Sequence, residues 1–237
     1  MKTIGLLGGM SWESTALYYK IINEGINAQL GGLHSARLVM YSVDFYEIEQ
    51  LQAAGDWQEA GEKLAAAGRA LQAAGRALQA AGADFIVLCT NTMHKVAPAI
   101  AAATSLPLLH IADATAEAIK TAGLSKVGLL GTRFTMEQAF YKQRLQSEYG
   151  IEVVIPDEAG RETVHQVIYQ ELCLGHINAA SREKYRAVME DLVAQGAEAI
   201  IMGCTEITLL IDQQDATVPL FDTTQIHAEA AVALALA

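Results

Sequence analysis

Basic side chains are scarce in this sequence. Its 237 residues include 16 Lys and Arg against 27 Asp and Glu, so the formal net charge at pH 7 is -11. A surface that binds nucleic acid needs clustered positive charge, and the sequence has no such cluster, so we exclude nucleic acid as a partner. A small anionic substrate remains compatible with this charge, because the field in a binding site depends on the groups next to it.

Long apolar runs are also missing. No segment reaches the roughly 18 consecutive apolar residues of a membrane-spanning helix. The apolar run near the start, at residues 4–7, is too short for the core of a signal peptide. We therefore expect no membrane partner and a cytoplasmic location.

Cysteine is rare, and the glycines do not form a nucleotide motif. The three cysteines are Cys89, Cys173 and Cys204. An odd number of thiols without metal-type spacing argues against a disulfide scaffold and against a zinc site. The amino-terminal glycines do not fit G-x-G-x-x-G, and position 29 is Gln where a dinucleotide site needs an acidic residue. We interpret Gly8 and Gly9 as a turn whose backbone N–H groups face a carboxylate.

The sequence does contain short apolar runs that alternate with helical segments, in two similar halves. It is 52% hydrophobic, which is enough to bury a sizeable core. The alternation predicts an α/β fold of two pseudo-symmetric, doubly wound domains with mainly parallel sheets and an active site in the cleft between them. We place the first domain at 1–112 plus 219–237, with a C-terminal strand and helix that return to it, and the second at 113–218.

One seven-residue segment is duplicated. Residues 66–72 recur without change as residues 73–79. Seven residues make nearly two helical turns, so an extra copy rotates the downstream helix face by only about 20°. We interpret the repeat as a tolerated in-phase duplication, and a longer helix used for subunit contact is the alternative.

Two predicted strands end in small polar residues. The strand at 84–89 is followed by Thr90, Asn91 and Thr92, and the strand at 198–202 leads through Gly203 to Cys204, Thr205 and Glu206. In parallel α/β sheets this edge is where ligands bind.

Cys204 stands where a helix is expected to begin. The exposed N–H groups and the dipole of such a helix should lower the pKa of its thiol toward neutrality, so that Cys204 could act as a base or a nucleophile. Glu206 would orient Cys204 or contact a substrate amine; the alternative is an ordinary favourable charge at a helix start.

Four segments in the right order resemble the aspartate/glutamate racemase family over essentially the whole chain. They are residues 1–10, the Asn91–Thr92 pair, residues 169–175 and residues 203–206. The resemblance implies a cofactor-independent, pyridoxal-independent proton transfer at the Cα of an amino acid, and often a homodimer. It also implies two cysteines that flank Cα, one immediately before Asn-Thr and the other within Gly-Cys-Thr.

The sequence departs from this pattern at the first of those cysteines. Thr90 precedes Asn91, and Cys89 lies one residue too early; because side chains alternate along a strand, Cys89 should point away from the site. Some family members carry this Thr/Cys pair and act mainly on L-aspartate and L-glutamate. The resemblance therefore implies that Cys204 takes the proton from the L-isomer and that Thr90 supplies or relays one on the other face.

Other candidate residues would hold the substrate. Without a pyridoxal electron sink, hydrogen bonds to the α-carboxylate must stabilise the incipient carbanion, and hydroxyl and amide side chains are suited to that task. The substrate-binding candidates are Met10, Asn91, Thr92, Thr132, Cys173, Thr205 and Glu206.

Two positions bear on the preferred side chain. Ile48 and Cys173 stand where some aspartate-specific members carry an arginine and a lysine, and Arg133 is the cation that would compensate. Three other functions stay open: a broad or neutral amino-acid racemase, a single-cysteine decarboxylase of the same superfamily, and a non-catalytic amino-acid-binding protein.

The histidines offer no obvious acid or base. We interpret His94 and His165 as residues of a helix surface or as residues that support the site. The remaining histidines, His34, His110, His176 and His227, form no constellation along the sequence.

Overall fold

The fold is that of a computed structural model, which describes residues 1–46, 62 and 82–237. Ile48 and the duplicated segment at 66–79 lie outside the described residues, so both interpretations stay predictions. Among the described residues, none of the helices combines the length and the apolarity that a membrane crossing requires.

The chain divides into two compact units. One comprises Met1–Ile111 with His227–Ala237, and the other comprises Ala112–Ile226. Each unit contains a parallel sheet of its own.

The first unit is built on a sheet whose strands run in the order β2-β1-β3-β4. The strands are β1 (Ile4–Gly8), β2 (Leu38–Ser42), β3 (Phe85–Leu88) and β4 (Leu108–Leu109). Every residue of β1 and β3 is buried, which explains why these segments read as uninterrupted apolar runs. The described helices are α1 (Trp12–Leu30), a 3-10 helix at Thr92–Val96, α2 (Ala97–Ala103) and the end of the last helix, Thr223–Leu236.

Apolar side chains cover both faces of this sheet. Leu6 and Val87 pack on one face with Tyr18 of α1 and with the last helix. Leu7 and its neighbours in β3 pack on the other face, against Met93. Because helices cover both faces, the first sheet is doubly wound, as the sequence predicts.

The second unit repeats this arrangement, with strands in the order β6-β5-β7-β8. The strands are β5 (Lys126–Gly131), β6 (Glu152–Val154), β7 (Ala199–Gly203) and β8 (Leu220–Asp222). The helices are α3 (Ile111–Thr121), α4 (Arg133–Glu137), α5 (Ala139–Tyr149), α6 (Glu158–Gln170), α7 (Ala179–Ala194), α8 (Ile207–Leu210) and α9 (Thr223–Leu236), with 3-10 helices at Leu172–Leu174 and Gln213–Asp215. All strand pairs are parallel. The predicted α/β class with two parallel sheets of like topology is therefore confirmed.

The last strand does not return to the first unit as we expected. β8 pairs with β7, with Ile200 opposite Leu220. The Thr223 hydroxyl, which follows β8, donates to the Met202 carbonyl at 2.9 Å and ties this segment to β7. Only the part of α9 from His227 onward belongs to the first unit, so the predicted boundary at 219 is corrected for the strand.

A carboxylate organises the amino end of the central strand pair in each unit. Asp84, just before β3, accepts a hydrogen bond from the Thr3 amide at 2.6 Å. Glu198, just before β7, accepts bonds from the amides of Ser125 and Lys126 at 2.8 and 2.9 Å. Both carboxylates thereby fix the strand that follows them against its neighbour. The two hydrogen bonds from these amides also lower the pKa of Glu198.

We expect Glu198→Gln to lower the thermal midpoint of unfolding at pH 7. The glutamine can still accept hydrogen bonds, but the charge that strengthens them is lost. Because the folded-state pKa of Glu198 lies below its ordinary value of 4.5, the stabilisation by the charge is present above pH 4.5 and is lost as the pH falls through the folded-state pKa.

The measurement is thermal unfolding of both proteins from pH 7 down to pH 3. The difference in midpoint should narrow at acid pH, and the exposed Glu190→Gln exchange on α7 is the matched control. A difference that persists unchanged at pH 3 would contradict the role of the charge.

Candidate active site

The candidate residues follow the central strand pair of each sheet. In the order β2-β1-β3-β4 the chain passes from β1 to one side and then crosses to β3 on the other, so β1 and β3 flank the topological switch point. In the second sheet β5 and β7 hold the same places. The residues that follow these four strands are Met10 after β1, Thr90 to Thr92 after β3, Thr132 after β5, and Cys204 to Glu206 after β7.

A close approach of two backbones places Cys204 at this edge. Gly131 of β5 lies opposite Gly203 of β7. A Cβ atom added to Gly203 would lie 2.8 Å from the carbonyl oxygen of Leu130, so only glycine allows this spacing. The next residues, Thr132 and Cys204, therefore leave neighbouring strand ends, and the Thr132 hydroxyl accepts a bond from the Thr135 amide and caps α4.

The side chain of Glu206 joins the polar residues after β7. Its Oε2 atom accepts a hydrogen bond from the Cys204 thiol, with an Sγ to Oε2 distance of 2.9 Å. The same oxygen accepts a bond from the Thr205 hydroxyl, also at 2.9 Å. All three residues are half-buried. Because both bonds end on the same atom, one carboxylate oxygen holds this cluster together.

The environment of Cys204 raises the pKa of its thiol well above the ordinary value. Burial is the largest cause, and the negative charge of Glu206 and its hydrogen bond to the thiol add to the rise. Our expectation of a lowered pKa was wrong. The helix that should lower the pKa, α8, begins only at Ile207 and has four residues, whereas the carboxylate of Glu206 lies within hydrogen-bond distance of the Cys204 sulfur. The resting thiol is therefore protonated.

Cys173 lies in the 3-10 helix Leu172–Leu174 and is exposed. Its thiol is close enough to Cys204 to contribute to the raised pKa of that residue. Cys173 and the Cys204 cluster therefore belong to one region of the second unit, and Cys173 brings no positive charge to it.

Arg133 has two carboxylate partners. Its guanidinium group bonds to Glu162 of α6 and lies 3.8 Å from the carboxylate of Glu137 in α4. The Arg133 amide donates to Nδ1 of His165 at 3.3 Å, and burial, followed by the charge of Arg133, lowers the pKa of His165. Arg133 thus connects α4 to α6, and its charge is already shared between two acids.

In the first unit the cysteine beside Thr90 is part of the core. Cys89 is fully buried and packs with the cluster around Tyr18 and Val87, and burial strongly raises the pKa of its thiol. Thr90 is half-buried, and its amide donates to the Leu88 carbonyl at 2.9 Å. Strand alternation accounts for this difference between the two neighbours.

The other candidates of the first unit have mixed surroundings. Asn91 is buried and Thr92 half-buried where the 3-10 helix Thr92–Val96 begins. Met10 packs into the apolar cluster that contains Leu7. Gly9, at φ +90°, donates its amide to Thr15 Oγ1 at 2.9 Å. This amide holds α1 instead of a ligand carboxylate, so our interpretation of the glycine turn is corrected.

A cluster of buried histidines in the first unit was missed in the sequence. The ring of His94 lies 4.4 Å from that of His110 and 5.8 Å from that of His227, centroid to centroid. Tyr18 Oη lies 2.8 Å from Nδ1 of His227. The expectation that His110 and His227 belong to no constellation was wrong, because His227 comes from a helix 133 residues beyond His94 and no local spacing signals the contact. In the part of the chain that the structure describes, no group of three His, Cys, Asp or Glu side chains could hold a metal ion.

Comparison with known proteins places the chain among racemases. The family model for Asp/Glu/Hydantoin racemases matches residues 7–231. A crystal structure from Yersinia pestis, described as a candidate Asp/Glu racemase, is 60% identical with a TM-score of 0.92, and the match covers the whole of both chains.

Two further relatives are more distant. An aspartate racemase homologue from Pyrococcus horikoshii is 34% identical over the whole of both chains, with a TM-score of 0.83. A broad-specificity amino-acid racemase of Bacillus subtilis is 30% identical over 154 residues, which are 65% of this chain and 66% of the relative.

We expect Glu206→Gln to lower the pKa of Cys204. Glutamine has nearly the same size but removes the negative charge that raises the pKa of this thiol. In a Cys173→Ser background, which removes the exposed thiol, alkylation of Cys204 by iodoacetamide near pH 8 should become faster, by up to about tenfold for each unit by which the pKa falls. The measurement is the rate of alkylation by mass spectrometry.

The control combines Cys173→Ser with Glu190→Gln, and its Cys204 should be alkylated at the same rate as in the Cys173→Ser single variant. An unchanged or slower alkylation of Cys204 after Glu206→Gln would show that Glu206 does not set the pKa of this thiol.

Proposed function

The chain belongs to the Asp/Glu/hydantoin racemase family, and from that premise we propose that it racemises L-aspartate and L-glutamate without a cofactor. Cys204 removes the Cα proton of the L-isomer, and Thr90 supplies or relays a proton on the opposite face. Membership of this family makes the protein an isomerase. The observation that carries the assignment of Cys204 is its hydrogen bond to Glu206 at the switch-point edge of the second sheet.

The pair formed by Cys204 and Glu206 explains how a thiol with a raised pKa can act as a base. The pair holds one proton and one negative charge, as a thiol beside a carboxylate. When that proton shifts along the 2.9 Å hydrogen bond to Glu206, the pair becomes a thiolate beside a carboxylic acid with the same total charge. The thiolate is then the base, and Glu206 keeps the proton next to the site.

The reaction then needs two proton transfers. The Cys204 thiolate forms an S–H bond with the Cα proton, and the electron pair of the broken C–H bond passes to the substrate carboxylate as an enolate. A proton that reaches Cα from Thr90 on the other face gives the D-isomer. Solvent water then returns a proton to Thr90 and takes the extra proton from the pair of Cys204 and Glu206. A threonine hydroxyl is a far poorer base than a thiolate, so we propose that the L-isomer is the substrate from which protons are removed.

Neighbouring hydroxyl and amide groups would stabilise the enolate. Thr205 shares the Glu206 carboxylate with the thiol, and Asn91 and Thr92 follow Thr90 at the edge of the first sheet. Asn91 and Thr92 can donate hydrogen bonds to the α-carboxylate as it gains charge, and Thr205 can do so when its hydroxyl turns from Glu206 to the substrate. We propose Met10 and Thr132, which follow β1 and β5, and Cys173, which lies close to Cys204, as further substrate-binding residues.

A broad or neutral amino-acid specificity is the second candidate. Arg133 already pairs with Glu162 and Glu137, and Cys173 is uncharged where some relatives have lysine. The relative from Bacillus subtilis is named a broad-specificity racemase. Each charge-assisted bond that is absent from the substrate side chain would weaken binding of an acidic substrate by about 1.5–3 kcal/mol.

We further propose that the enzyme acts as a cytoplasmic homodimer. The first unit exposes several large apolar side chains, including Trp12 at 67% and Tyr19 at 49% exposure. Contiguous exposed apolar surface marks subunit interfaces, and large side chains such as these supply most of its area. Analytical ultracentrifugation of the purified chain decides between monomer and dimer.

Cys204→Ala should abolish exchange of the Cα proton of L-aspartate in heavy water. Loss of the base predicts a fall of at least about 100-fold in Cα deuteration and in formation of the D-isomer. Proton NMR measures the first rate and chiral chromatography measures the second, with L-glutamate and a panel of neutral L-amino acids run in parallel. Cys89→Ala, which removes the buried thiol, is the matched control and should keep both rates.

The outcomes separate the candidate functions. Full activity of Cys204→Ala would refute the assignment of the base. Release of carbon dioxide from a malonate without amino-acid exchange would identify a decarboxylase. A ligand-dependent rise in melting temperature without any Cα exchange would identify a binding protein.

A further inference from the structure

We propose that His94 is a positioning residue for Thr90 and so controls the second proton transfer. This inference rests on the proposed function. His94 is the fourth residue after Thr90 and is only 2% exposed. Its Nδ1 atom lies 2.7 Å from the Thr90 carbonyl oxygen, and its Nε2 atom lies 3.2 Å from the amide nitrogen of Ile111.

The two partners determine the protonation of the ring. A carbonyl oxygen only accepts hydrogen bonds, so Nδ1 of His94 must carry a proton and donate it to Thr90. A backbone amide only donates, so Nε2 of His94 must present its lone pair to Ile111. His94 is therefore a neutral imidazole that connects the residue after β3 to the first residue of α3.

Two other side chains pack against the ring of His94. His110 and His227 pack against it edge to face. His227 is itself fixed, because its Nδ1 accepts from the Tyr18 hydroxyl at 2.8 Å and its Nε2 donates to the Leu109 carbonyl at 2.9 Å. His94 thus has little freedom to rotate away from Thr90.

Fixing the carbonyl of Thr90 fixes the direction of its side chain. Thr90 lies just beyond Leu88, the last residue of β3 that pairs with β1. The bond from His94 sets the plane of the peptide that leaves Thr90. Together with the preceding peptide, which the bond from the Thr90 amide to the Leu88 carbonyl holds, this plane sets the direction of the Cα–Cβ bond. A proton donor that is misplaced by about 1 Å can slow its step about 100-fold. Loss of the bond from His94 should therefore slow mainly the proton transfer that uses Thr90.

Two substitutions separate the two bonds of His94. Asparagine places an N–H group near the position of Nδ1 and keeps the donor to Thr90, whereas glutamine places an oxygen near the position of Nε2 and keeps only the acceptor for Ile111. The readout is the ratio of D-isomer formed to Cα deuterium gained by the remaining L-isomer in heavy water. Cys204 alone brings deuterium into the L-isomer, whereas D-isomer formation needs the Thr90 side as well.

We expect His94→Gln to lower this ratio by about 10-fold to 100-fold, as Thr90→Ala should, and His94→Asn to keep it within about threefold of wild type. A parallel fall of both rates in His94→Gln, with an unchanged ratio, would show a merely structural role and overturn the inference. An equal loss of the ratio in both variants would overturn it as well. If the wild type shows no Cα exchange at all, the proposed function itself fails.

A measurement on the unsubstituted protein covers the case in which a variant does not fold. Nitrogen-15 NMR of the histidine rings should show His94 as a neutral imidazole with the proton on Nδ1. A neutral ring with the proton on Nε2 would mean that the bond to the Thr90 carbonyl does not form, and the inference would be wrong.

Discussion

The buried pairing of the two central strands in each sheet is the constraint on which the rest of the structure depends. β1 pairs with β3 and β5 with β7, and all four strands are almost entirely buried. Because a parallel sheet forces both strands of a pair to end at the same edge, the residues that follow them must come together there. In the second sheet, Gly131 and Gly203 allow the backbones of β5 and β7 to approach closely at this edge. The chemistry of the protein follows from which side chains stand just beyond it.

The carboxylate of Glu206 changes the chemical character of Cys204. A thiol at a helix start is usually expected to ionise easily, but a full negative charge within hydrogen-bond distance outweighs the partial charge at the end of a helix of four residues. The thiol is consequently a poor nucleophile at rest. Such a thiol is protected from adventitious alkylation and oxidation, and in the mechanism that we propose it becomes a base through transfer of its proton to Glu206.

Local sequence predicted much of the fold and the residues that follow its central strands. The strands expected at 84–89 and 198–202 appear as Phe85–Leu88 and Ala199–Gly203, because a continuous apolar run is the direct sign of a strand buried on both faces. The sequence could not predict the sheet that β8 joins or the histidine cluster, since both depend on contacts between distant segments. The sequence also led us to expect a lowered pKa for Cys204 where the pKa is raised, because the spacing of residues does not show where the Glu206 side chain points.

Equivalent strand ends in the two sheets carry different side chains, a hydroxyl in one and a thiol in the other, and their chemistry explains why their surroundings differ. β3 and β7 hold the same place in their sheets, and Thr90 and Cys204 follow them. In the mechanism that we propose, the carboxylate of Glu206, which accepts a hydrogen bond from the Cys204 thiol, switches this thiol between acid and base. The pKa of an aliphatic hydroxyl is far too high for such a switch, so position is the property that the protein can still control. A rigid neutral imidazole bonded to the backbone of Thr90 controls that property without adding a charge.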